Sequence, residues 1–152
     1  MTSCSDCGAA ANCAELFDRL LALDHAREEP WGPLHSIVVA CYFLQHPAAE
    51  ADASTQWGFL QVYLRDGLAA VHARQATARR RNSHRHSGRS PHDGLFADVP
   101  QLPANGPARP FTMTIADVSA GGDFPAEGHT ERVRAWAAAT VAAWSNDNAR
   151  TP

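Results

Sequence analysis

Three of the four cysteines stand within the first thirteen residues, as Cys4-Ser5-Asp6-Cys7-Gly8 and then Cys13, and this crowding constrains the chain more than anything else in it. A two-residue gap lets both thiolates approach one cation, and glycine after the second lets the chain turn without a Cβ clash. Cys13 falls where a helix should begin. Asn12 and Glu15 have the N-cap and N3 spacing of a capping box, so a helix N-terminus beside this thiol favours its ionised form. Three converging sulfurs point to a structural zinc ion that needs one more ligand. A secreted disulfide framework does not fit, because the cysteines gather at one end and no basic and then apolar leader precedes them. A reducing, cytoplasmic setting is expected.

Behind the knuckle, Leu16, Phe17, Leu20, Leu21 and Leu23 recur at helical spacing and predict a helix from Cys13 to Arg27. The run Glu29-Pro30-Trp31-Gly32-Pro33 breaks it, and Pro33 suits the first turn of a second helix over 34–45, which Pro47 ends near His46. Asp52 or Ser54 can cap a third helix whose broad apolar face holds Trp57, Leu60, Val62, Leu64, Leu68 and Val71. Periodicity then vanishes. Residues 77–110, basic at first and later proline-rich, read as a disordered insertion, at least over 77–94. Phe111 to Ile115 alternates and reads as one short strand. A last helix opens near His129 and Thr130, with His129, Val133, Trp136, Thr140 and Trp144 on one face.

The expected fold is therefore mainly α: a single, four-helix bundle-like domain over 1–152 with an N-terminal zinc knuckle and at most one short strand. The knuckle takes 1–13, helices take 14–76, the insertion 77–110, and the strand with the last helix 111–146.

A helical hairpin would return the end of the second helix to Cys13 and make His46 the nearest fourth ligand. His35 lies on the same helical face but roughly 16 Å away along the axis, too far to share the ion. Cys41, ~140° round the helix from His46, reads as a small buried core residue. Spacing alone leaves the choice among His46, His35 and Cys41 open, and capping of the last carbonyls of its helix competes with ligation as the reading of His46. His35 and His129 head helices whose N-termini share one end of such a bundle. They are candidates for a second metal or for acid/base catalysis, with Asp24 or Tyr42 as helpers. No nucleophile elbow, Walker loop, dinucleotide fingerprint or HExxH motif supports an enzyme reading.

Charge bears on partners. Residues 1–73 carry nine acids against three arginines (−6), residues 74–92 six arginines and no acid (+6), and residues 93–152 seven acids against four arginines (−3). An acidic surface repels phosphate backbones, so nucleic acid is a poor partner, and the partner is otherwise unknown, with a protein left open. No apolar run approaches the roughly 20 residues of a membrane span.

Taken together, Cys4-x-x-Cys7-Gly8-Ala9, Cys13, His35, the Tyr42-x-x-Gln45-His46-Pro47 segment and His129 with Val133 and Trp136 resemble an uncharacterised bacterial family, a domain of unknown function. The resemblance covers 1–73 and 111–145, with 74–92 looking like an insertion, and it implies no known activity. The Cys-x2-Cys-x5-Cys run is also similar to part of the WhiB-like iron-sulfur regulators. There the isolated cysteine precedes the run, whereas Cys41 follows it. The four cysteines together keep an iron-sulfur cluster as the alternative to zinc.

Overall fold

The computed structural model describes residues 3–48, 51–83 and 94–145. Among these residues there are six α-helices and no strand: α1 (Cys13–His25), α2 (His35–Gln45), α3 (Ala53–Asp66), α4 (Leu68–Ser83), α5 (Ile115–Ser119) and α6 (His129–Trp144), with one 3-10 turn at Gly32–Leu34. The chain is mainly helical, as expected. Asn12 accepts from the Glu15 amide at 3.2 Å to open α1, and Asp52 accepts from the Ser54 and Thr55 amides to open α3. Pro33 sits inside the 3-10 turn that leads into α2, and α2 stops at Gln45, two residues before Pro47.

α2 is the central element. It packs against both α3 and α6, α4 lies along α3, and α1 meets α5, the 3-10 turn and α2. Ile37, Val38, Ala40 and Cys41 of α2 are fully buried and meet a core that includes Leu20, Leu60, Val62, Val133 and Trp136. Each large aliphatic side chain so placed contributes about 1.5–3 kcal/mol of burial. Three indoles tie separate segments together by donating to main-chain carbonyls: Trp31 to Phe124, Trp57 to Pro100 and Trp144 to Leu44, at 2.9, 2.9 and 3.0 Å. Gln45, buried in the middle, donates to the Met113 carbonyl and to the Thr140 hydroxyl, joining α2 to α6 and to the segment before α5.

Four expectations about local structure change. The first helix ends at His25 rather than Arg27, whose φ is +58°. The single third helix is two, because Gly67 with φ of +94° leaves helical geometry and redirects the chain. The stretch 111–115 forms no strand. Thr114 and Asp117 instead form a capping box at the N-terminus of α5, with the Thr114 amide donating to Asp117 Oδ2 at 2.9 Å, and Gln45 takes the Met113 carbonyl that a strand partner would have used.

The fourth change concerns the insertion over 77–110, whose described parts are structured. α4 continues to Ser83, and residues 94–110 pack on the bundle. Leu95 and Val99 are buried, and the Phe96 ring lies 5.0 Å from that of Phe59. The Asp98 carboxylate receives both Arg65 and Arg74 at 2.7–2.8 Å, and the Ala143 carbonyl accepts from the Ala108 and Arg109 amides. The remainder of the predicted disorder, 84–93, lies outside the described residues.

Candidate metal centre

The first cysteines sit on a closed turn. The Cys4 amide donates to the Ala9 carbonyl at 2.7 Å and the Gly8 amide to the Cys4 carbonyl at 2.9 Å, with Gly8 at φ of +85°. This turn folds Cys7 back toward Cys13, the first residue of α1, and the two sulfurs are 3.5 Å apart. That is far beyond a disulfide length of about 2.05 Å, and close to the roughly 3.8 Å between two thiolates on one tetrahedral zinc. The four cysteines are unbridged.

The fourth member arrives from the far end of α2. His46 follows its last residue, and one donor nitrogen of His46 with the three sulfurs forms a group whose ligand atoms all lie within 4.8 Å of one another. They are close enough to bind one metal ion. Cys7, Cys13 and His46 are buried and Cys4 is half-buried. The ring of His46 is stacked on Tyr42, centroids 4.2 Å apart, and Tyr42 is stacked in turn on Phe17 of α1 at 3.8 Å. Three parallel rings thus bring the end of α2 to the start of α1. His46 Nδ1 donates to the Tyr42 carbonyl at 2.9 Å, while Nε2 is buried with no hydrogen-bond partner among the described residues. A buried nitrogen left in that state is costly, and a cation within reach of its lone pair removes the cost.

Electrostatics agrees with this fit. Burial first, and then the neighbouring thiols of Cys7 and Cys4, push the Cys13 thiol up to about 12. Burial also raises Cys7, whereas the Cys7 amide lowers Cys4. Thiols packed this closely resist ionising together unless a positive charge joins them, and a dication supplies that charge. Burial lowers the His46 pKa and keeps its imidazole neutral, the form that ligates.

The other candidate residues lie elsewhere. Cys41 is fully buried, outside the four-ligand group, and burial drives its thiol pKa upward. His35, half-exposed at the start of α2, has Nδ1 3.1 Å from Oδ2 of the buried Asp24, and its ring is 5.7 Å from that of His25. His129 is wholly buried against the rings of Trp31 and Phe124, at 6.2 and 6.4 Å, with neither ring nitrogen bonded among the described residues. Each of these two imidazoles therefore has its own set of neighbours. Tyr42 serves the cysteine group rather than His35. Sequence reasoning had not placed it there, although its position one helical turn before His46 was the available signal.

A sequence model described as a family of unknown function, DUF5946, matches residues 2–145. The chain belongs to that family. No curated protein and no solved structure matches it. The DUF5946 match runs through 74–92, the stretch that the sequence reading set apart as an insertion. Arg74, at the start of that stretch, rests its guanidinium on Asp98. Among the described residues no helix is long and apolar enough to cross a membrane.

Proposed function

We propose that this DUF5946 protein is a small zinc-binding helical protein in which Cys4, Cys7, Cys13 and His46 hold the ion and the ion is structural. One observation carries the reading: a ring nitrogen of His46, whose Nε2 is buried and unpartnered among the described residues, lies in one group with three thiols. Three soft thiolates and an imidazole suit zinc, and four protein ligands fill its tetrahedron, leaving no position for an activated water. The ion would then fasten residues 4–13 to the meeting point of α1 and α2. Zinc is preferred to an iron-sulfur cluster because Cys41, which would complete a four-thiolate set, stands apart in the core. We assign the protein an undefined binding or regulatory role, in a reducing cytoplasm that keeps the thiols free.

The test is elemental analysis of chain purified without chelators, beside Cys7→Ser and His46→Ala. One zinc per chain, lost in both variants, is expected. A brown, iron-containing preparation, or zinc retained by both variants, contradicts the proposal.

A further inference from the structure

Two imidazoles and a buried carboxylate stand together where α1 gives way to α2, at the other end of α2 from His46. Asp24 and His25 close α1, and His35 opens α2. The Asp24 side chain has no solvent exposure, whereas that of His35 is 45% exposed, and the two meet at 3.1 Å through Oδ2 and Nδ1. An ionised carboxylate only accepts, so Nδ1 carries the proton and Nε2 of His35 presents a lone pair. A buried acid that orients an imidazole through its inner nitrogen is the arrangement that commonly stands behind metal-bound histidine.

The His25 ring has its centroid 5.7 Å from that of His35, tilted by 45°. Two imidazoles at about 2.0–2.1 Å from one ion hold their centroids roughly 5–6 Å apart, so this spacing suits a shared cation. A second and independent observation comes from the acid. Its other oxygen, Oδ1, is buried with no hydrogen-bond partner among the described residues. Leaving half of a buried carboxylate unsatisfied is costly, and a positive charge held by the neighbouring imidazole offsets part of that cost.

We propose that His25 and His35 hold a second divalent transition-metal ion, backed by Asp24. Two protein ligands leave positions for water or a small anionic ligand, so this site is open where the cysteine site is closed. Borderline ions that accept imidazole, such as nickel or copper, are the matching class. The site shares no residue with the cysteine group and does not depend on it.

The probe is Ni2+, titrated into full-length protein in which His84, His86 and His92 are replaced by alanine, so that those imidazoles cannot supply the signal. We expect one nickel per chain, taken up without the sulfur-to-nickel charge-transfer absorption that binding at cysteines gives. The exposed His25→Ala should weaken uptake at least tenfold, as should His35→Ala. Asp24→Asn should weaken it about 10- to 100-fold. His25→Ala guards against misfolding as a cause, since its helical circular dichroism should equal that of the parent. Nickel uptake unchanged in His25→Ala and His35→Ala, or absent from the parent, overturns the proposal.

Discussion

His46 donates from Nδ1 to the carbonyl of Tyr42, 2.9 Å away, and this bond gives its two ring nitrogens different tasks. Nδ1 satisfies a carbonyl at the end of α2, and the buried Nε2 is left with a lone pair and no partner among the described residues. Capping and ligation, which look like alternatives in the sequence, are therefore compatible within one side chain. His46→Ala should lose the zinc and about 4 kcal/mol or more of unfolding free energy, the scale of losing a metal anchor. His46→Cys, which restores a fourth soft ligand, should keep one zinc per chain. Zinc content and urea unfolding of the two variants check this.

Gly58 of α3 is where the loop after residue 94 leans on the bundle. A Cβ at this position would lie 2.3 Å from Cγ of Phe96, inside the ring's own volume. Gly58→Ala should therefore destabilise by about 1–3 kcal/mol, although alanine is the better helix former. In a Phe96→Ala background the obstacle is gone, and the same change should be neutral or stabilise by up to about 1 kcal/mol. A double-mutant cycle in urea measures the difference.

His129 makes stability depend on pH in a stated direction. Burial, helped by Arg132, lowers its pKa from 6.5 to about 4. An imidazole held neutral in the fold but free to protonate when unfolded contributes stability that is intact above pH 6.5 and lost as pH falls toward about 4. The loss is on the order of 3 kcal/mol across that window. His129→Leu should remove this slope, so the parent's urea midpoint should fall relative to the variant's between pH 7 and 4. Parallel midpoint curves would exclude the assignment.

Much of this architecture is legible in local pattern. The Asn12 cap, the role of Pro47, and the face of α6 that buries His129, Val133, Trp136, Thr140 and Trp144 all follow from short-range rules that the fold obeys. The nearness of His46 to Cys13 was also readable, because a short connection between two helices returns one end to the other. Long-range pairings were not. Residues 94–110 look too polar and proline-rich to fold, yet Asp98 with Arg65 and Arg74, and Phe96 over Gly58, hold this segment on partners distant in sequence. The alternation over 111–115 was too short to outweigh the Thr114 and Asp117 cap, which was visible at three-residue spacing but unused. Asp24 and His35 are eleven residues apart with a chain reversal between them, so no periodicity announces their contact.

The central claim is that three sulfurs and one imidazole nitrogen share a single zinc. X-ray absorption at the zinc edge of the purified protein measures this directly. The account predicts three sulfur neighbours at about 2.3 Å and one nitrogen at about 2.0 Å, with the nitrogen shell vanishing in His46→Cys. A first shell dominated by oxygen and nitrogen, or four sulfurs in the unaltered chain, would contradict it.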